Sequence, residues 1–328
     1  MKFSEMPYKR IELEDFKEQA EKIIGQFKSA GNAGEAEQAF YDMEKFNEET
    51  GTMLSLAYTR NSINIDDAFY DGEKNYYDEV SPYMSEYGDK FNRELVASKY
   101  RPELEKKFGG LLFENIELGL KTFSPEIIPD LQEENRLSSK YDEVMASAQI
   151  AFDGKILNRS QLGAYKLSNE RGVRKQAYIA DAGFLNEKKA ELDEIFDNLV
   201  KVRTKMARTL GFENFIGLGY CRMTRNDYNK NDIANFREQV KNVLVPVVSK
   251  LKEQQKKRLD ISDFMLYDNE VLFKTGNAAP FGTPEQIMQA GREMYEELSP
   301  ETAEFIKFML DSELFDVIAK KGKKGRGY

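Results

Sequence analysis

"AQIAFDGKILN", residues 148–158, is a stretch whose periodicity differs from what surrounds it. Two short apolar runs flank Asp153-Gly154, a pair suited to a two-residue turn, and this is the strongest local signal for a β-hairpin. A hairpin is therefore expected near 148–159. Away from it, apolar residues recur at helical spacing. Over 69–95 the series is Phe69, Tyr76, Val80, Tyr83, Tyr87, Phe91 and Leu95, largely on one face. Over 192–210 it is Leu192, Ile195, Leu199, Val202, Met206 and Leu210, with Gly211 placed to end the helix. Over 233–251 it is Ile233, Phe236, Val240, Val243, Val247 and Leu251, with Pro246 expected to kink the helix. Stripes of this kind usually face a core. The fold class that follows is mainly α, with one small inserted hairpin. A further extended candidate, "FMLYDNEVLFKTGNAAPFG" at 264–282, leads into a Gly/Asn/Pro-rich loop.

A chain of 328 residues accommodates two domains or one large one. With 41% hydrophobic and 32% charged residues it has a globular composition. The net charge is −9, yet Lys320, Lys321, Lys323, Lys324 and Arg326 cluster at the C-terminal end of an otherwise acidic chain. An acidic body disfavours general nucleic-acid binding, and neither a nucleic-acid partner nor a membrane partner is expected. There is no stretch of signal-peptide or membrane-span character. The single Cys221 excludes a disulfide framework within the chain and suits a reducing compartment, so a cytoplasmic location is expected.

The most informative feature is that no histidine occurs. The commonest general base and the commonest zinc ligand are thereby missing, and neither a Ser-His-Asp nor a Cys-His arrangement can form. "DYNKNDIANFRE", 227–238, places Asp227, Asn229, Asn231 and Glu238 at calcium-loop positions, but Asp232 stands where the sharp turn needs glycine. It reads instead as a polar turn in which Asn231 or Asp232 caps the next helix. "GLGYCR", 217–222, lacks the third glycine and the preceding strand of a dinucleotide fingerprint. The pairs Asp66-Asp67, Glu133-Glu134 and Glu296-Glu297 read as solvated helix faces. Cys221 reads as a structural thiol. Taken alone, these residues describe a helical interaction module without a catalytic constellation.

Longer stretches carry more. "FSEMPYKR" (3–10), "SLAYTRNSINIDDAFYD" (55–71), "KTFSPEIIPDLQEENRLSSKY" (121–141), "ASAQIAFDGKILNRSQL" (146–162), "LVKVRTKMARTLGFENFIGLGYCRMTRNDY" (199–228) and "IAKKGKKGRGY" (318–328) follow one another in the order of a known family. The chain resembles the thimet-like zinc metallo-oligopeptidases of the oligoendopeptidase F type. That resemblance implies a two-lobed helical scaffold around a channel that admits oligopeptides, here divided as 1–165 and 166–328, with Ser168 placed to cap the helical stretch leading to Leu192. It further implies a zinc ion held by a His-Glu-x-x-His helix and a later glutamate. Those residues follow a Gly-Gly-Tyr segment, which Gly325, Gly327 and Tyr328 match as substrate-contacting positions and from which Arg326 departs. The expectations are then that this chain lacks the catalytic helix, binds no zinc and cleaves no peptide alone. They extend to a complementary catalytic half as partner, covering exposed faces at Phe236, Val240, Val243 and Val247 and at Phe305, Phe308, Met309 and Phe315. The alternatives are a stand-alone peptide-binding scaffold and, less consistent with the charge, nucleic-acid binding through the basic tail.

Overall fold

The computed structural model describes residues 1–279 and 282–325. In chain order the helices are α1 (Leu13–Lys28), α2 (Ala33–Ile63), α3 (Ala68–Ala97), α4 (Arg101–Phe108), α5 (Gly110–Gly119) and α6 (Ile128–Ala146). The hairpin strands β1 (Ile150–Phe152) and β2 (Lys155–Leu157) follow. After them come α7 (Arg159–Lys166), α8 (Arg171–Glu187), α9 (Lys189–Thr209), α10 (Phe215–Arg222), α11 (Lys230–Gln239), α12 (Val245–Leu259), α13 (Pro284–Leu298) and α14 (Pro300–Asp311). The chain is mainly helical, as its periodicity predicts, and the described residues contain a single two-stranded sheet.

The hairpin falls where the Asp153-Gly154 pair predicts it. The strands pair antiparallel in the register Ile150 with Leu157, Ala151 with Ile156 and Phe152 with Lys155. Both turn residues have positive φ, 51° at Asp153 and 69° at Gly154, which is the left-handed backbone a two-residue hairpin turn requires. Ile150 and Leu157 point to one face and are buried with Leu162, Ala177 and Phe184, while Ile156 points outward. The 264–282 stretch forms no strand among the described residues: a single 3₁₀ turn at Leu266–Asp268 interrupts irregular chain. Its backbone carbonyls are satisfied by side chains instead of a ladder, chiefly by Gln255.

Two compact units divide the chain discontinuously: Lys9–Ala146 joins Glu187–Pro246, and Met1–Tyr8 joins Ser147–Asn186 and the residues from Val247 onward. In the first of these, α1 packs on α2 and α3, α3 on α6, and α6 on α9. Its core collects Ile23, Ile24 and Phe27, Ala39, Phe40 and Met43, and Phe91 and Leu95. Phe27 meets Phe91 edge-on at 5.2 Å between ring centroids, the geometry that ring quadrupoles favour. A smaller cluster of Ile127, Met206, Ala207 and Leu218 seats α10 against α9, and Gly211, at φ 84°, ends α9 as expected.

Three periodicity readings need correction. On α3, Phe69 is exposed and Tyr77, outside the inferred stripe, is wholly buried. A tyrosine can be buried there because its hydroxyl accepts the Ile11 N–H at 3.0 Å. The stretch leading to Leu192 is two helices broken at Lys188, and Ser168 Oγ accepts the Glu170 N–H just ahead of α8. The 233–251 stripe is not core in this chain, since no residue of α11 is buried and Phe236 and Val243 are 60% and 65% exposed. Ahead of Pro246 the helical ladder widens into a π-turn at Val240–Leu244. Proline lacks the N–H that would continue an α-helical ladder, which accounts for the irregularity there.

Candidate functional site

The C-terminal segment carries the residue types singled out in the sequence, and its described part, Lys320 to Gly325, lies on the corner formed by the hairpin and α7. Asn158 caps α7: its Oδ1 accepts the Gln161 N–H at 2.8 Å, and the Gln161 side chain returns to the Asn158 N–H at 3.0 Å. The same amide donates from Nδ2 to the Lys320 carbonyl at 2.9 Å. Gly325 sits against the first turn of α7, where a Cβ would lie 3.2 Å from Ser160 Oγ. Gly327 and Tyr328, and with them Arg326, lie outside the described residues.

The basic tail is not a free cationic arm. Asp316 pairs with Lys320 at 3.1 Å and with Lys323 at 3.2 Å. Burial works to raise its carboxyl, but the two ammonium groups hold it below the usual carboxylate range.

A second charged centre anchors residues 260–277 to α8. Asp268 is fully buried, and both of its oxygens are occupied. Arg171 donates to it through Nε at 3.0 Å and Nη2 at 2.8 Å, Arg174 through Nη2 at 2.9 Å, and the Met265 N–H at 3.0 Å. Arg174, only 3% exposed, spends its other nitrogens on the carbonyls of Tyr267, Ser168 and Asn169. Burial alone would raise the Asp268 carboxyl; the hydrogen bonds from Arg171, Met265 and Arg174 together outweigh it and bring it to about 2. Gln255, also buried, completes the anchor by donating to the Val271 carbonyl at 2.7 Å. Sequence reading did not find this centre. Arg171 and Arg174 each lie more than ninety positions from Asp268, and none of the three belongs to a motif.

In the unit built on α1–α6, a cleft of about 570 Å³ between α3 and α6 is lined by Asp78, Glu79, Glu133, Arg136, Lys140 and Glu143 among others. Its charges are largely self-compensated: Glu133 pairs with Arg136 at 2.6 Å, and Lys74, itself buried, pairs with Glu143 at 3.1 Å. Asp78 accepts the Tyr58 and Ser139 hydroxyls, and burial followed by the Asp78 charge pushes the Tyr58 phenol upward. Glu134 corrects the reading of the acidic pairs. It is buried, and it bridges Arg203 at 2.6 Å and Arg222 at 2.8 Å, fastening α6 to α9 and α10. Asp67 likewise works as a cap, accepting the Phe69 and Tyr70 N–H groups.

The remaining motifs resolve locally. Asn229, and neither Asn231 nor Asp232, caps α11; Asp232 completes the capping box by accepting the Asn229 N–H at 2.8 Å. Those side chains are therefore engaged in helix capping. "GLGYCR" lies within α10, and Cys221 is a half-buried free thiol. The donor set does not fit a zinc ion, because the chain has no histidine and one cysteine. Among the described residues no three Cys, Asp or Glu side chains converge as metal ligands. No helix among them is long and apolar enough to cross a membrane.

Comparison with known proteins supplies the family. Residues 3–123 match the peptidase M3 N-terminal domain, and residues 164–328 match peptidase family M3. A structure assigned as an oligoendopeptidase F of Bacillus anthracis superposes with a TM-score of 0.98 at 44% identity, covering 100% of this chain and 60% of that one. PZ peptidase A, solved with an inhibitor, gives 0.98 at 42% identity, covering 100% of this chain and 58% of that one. A second structure assigned as an oligoendopeptidase F gives 0.98 at 41%, with 99% and 57% covered. The chain thus spans less than two thirds of each of these relatives. An Enterococcus faecium oligoendopeptidase F, 14% identical at a TM-score of 0.61, shares the fold. A search of curated proteins returned no match. With both family regions matched in order and the fold reproduced along its length, the chain belongs to peptidase family M3.

Proposed function

We propose that this chain is the substrate-channel portion of a zinc-dependent oligoendopeptidase that hydrolyses oligopeptides, and that the zinc-binding helix is supplied from outside these 328 residues. In this reading residues 1–165 form the N-terminal lobe and 166–328 the opening part of the catalytic lobe. Gly325, Gly327 and Tyr328 contact the peptide, and the protein works in the cytoplasm. The single observation that carries the reading is the likeness at 41–44% identity over 99–100% of this chain, against 57–60% of each relative.

Physical chemistry supports the division of labour. Zinc, when bound in a complete enzyme, supplies Lewis-acid activation of water and of the scissile carbonyl. The residues present here contribute scaffold: paired and buried charges that fix α6, α8, α9 and α10. The exposed apolar side chains Phe236, Val243 and Val247, and Phe305, Phe308 and Phe315, with Val240 and Met309 half-buried, suit a covering catalytic half.

Co-expression tests the reading. The chain is produced together with a family fragment bearing the His-Glu-x-x-His helix, and the two are purified through a tag on one of them. Stable co-purification at equal stoichiometry is expected. A chain that stays monomeric, melts cooperatively and ignores the fragment would favour a stand-alone peptide-binding scaffold instead.

A further inference from the structure

We infer that Asn158 is a positioning residue: its amide couples the hairpin–α7 corner to the Lys320–Gly325 segment and so sets where Gly325, the described residue among the proposed peptide contacts, lies. The inference rests on the proposed role of that segment and adds a residue outside it. The orientation of the amide follows from its partners. An N–H donor at Gln161 requires the oxygen on that side, at 2.8 Å, so the nitrogen faces the Lys320 carbonyl at 2.9 Å. One planar group therefore satisfies a helix N-terminus and a carbonyl 162 positions away.

Two further contacts hold the same segment. Asp316 braces Lys320 and Lys323, and Gly325 lies within reach of Ser160 in the first turn of α7. Because Asn158 follows directly on β2, the buried side chain of Leu157 fixes its backbone, and the hairpin becomes the reference point for the tail. This gives the inserted hairpin a purpose beyond its own small core.

Substitution separates anchoring from capping. Asn158→Asp keeps an acceptor for the Gln161 N–H but presents a carboxylate oxygen to the Lys320 carbonyl, so the cap survives and the anchor is lost. Gln161→Ala keeps the anchor and the backbone N–H that Asn158 caps, and removes only the reciprocal half of the capping box, the bond from the Asn158 N–H to the Gln161 side chain. Limited trypsin digestion of the 328-residue chain reads the result, since Lys320, Lys321, Lys323 and Lys324 are all cleavage points. Asn158→Asp should speed cleavage at these lysines about five- to tenfold, as expected for losing one hydrogen bond and gaining a repulsion. Gln161→Ala should stay within about twofold of the parent, because the Lys320 contact is intact. Parent-like cleavage of Asn158→Asp, or equal acceleration by Gln161→Ala, overturns the anchor. In the co-expressed pair, Asn158→Asp should raise KM for an oligopeptide several-fold with kcat little changed, whereas a uniform loss of active enzyme contradicts positioning. A co-expressed pair with no turnover at all removes the segment's substrate role and overturns that half of the inference, while the trypsin result still decides whether Asn158 holds the tail.

Discussion

Replacing Asp268 by asparagine removes one negative charge from a pocket that contains two guanidinium groups. The carboxylate is fully buried and accepts from Arg171, Arg174 and the Met265 N–H, so the variant leaves Arg174 buried without its counter-charge. Breaking a buried pair in this way costs about 3–5 kcal/mol at neutral pH. The same centre makes stability pH-dependent. Its folded-state pKa lies below the ordinary 3.8, at about 2, a difference worth roughly 2.5 kcal/mol. A depressed carboxyl contributes fully above its unfolded pKa, and that contribution is lost as pH falls through about 4 toward about 2. Urea unfolding followed by far-ultraviolet circular dichroism measures both effects without needing a tryptophan, which the chain lacks. The gap between parent and Asp268→Asn should be about 3–5 kcal/mol near neutrality and should shrink by roughly 2 kcal/mol near pH 2. A neutral-pH gap below about 1 kcal/mol, or one that does not narrow in acid, refutes the assignment of Asp268 as a buried anchor.

Further outcomes follow from other parts of the fold. Gly154→Ala places a Cβ at φ 69° in open space, so the cost is backbone strain alone, about 1 kcal/mol, seen as a lower melting temperature with unchanged helicity. The exposed Phe236, Val243 and Phe308 should drive self-association of the isolated chain. Replacing the three with glutamine should shift sedimentation toward monomer, and a parent chain already monomeric at high concentration would contradict this.

Sequence and structure agree where the physics is local. The hairpin is legible because Asp153-Gly154 encodes a positive-φ turn, and Gly211 ends α9 for the same conformational reason. Periodicity finds helices but not which stripe is covered: the 233–251 stripe has the same spacing as the one containing Ile195, Val202 and Met206, yet only the latter is buried. Tyr77 escapes a hydrophobic-stripe reading because a hydroxyl partner at Ile11 made its burial possible. Glu134 and Asp268 are missed for a related reason, since burial of a carboxylate depends on arginines distant in sequence. Of the candidate site, residue types and order are visible in the sequence, whereas the contact between Asn158 and Lys320 needs the fold.

On the proposed reading, this chain holds substrate-channel scaffold and not the metal chemistry. That division is tested most directly by metal analysis and quenched-fluorescence peptide hydrolysis on the purified 328-residue chain, alone and with a fragment bearing the His-Glu-x-x-His helix. Without histidine, and with one thiol, the chain alone should retain no stoichiometric zinc after dialysis and release no fluorescence. Adding the fragment should produce chelator-sensitive turnover of oligopeptides. Chelator-sensitive turnover by the pure chain alone would contradict the claim.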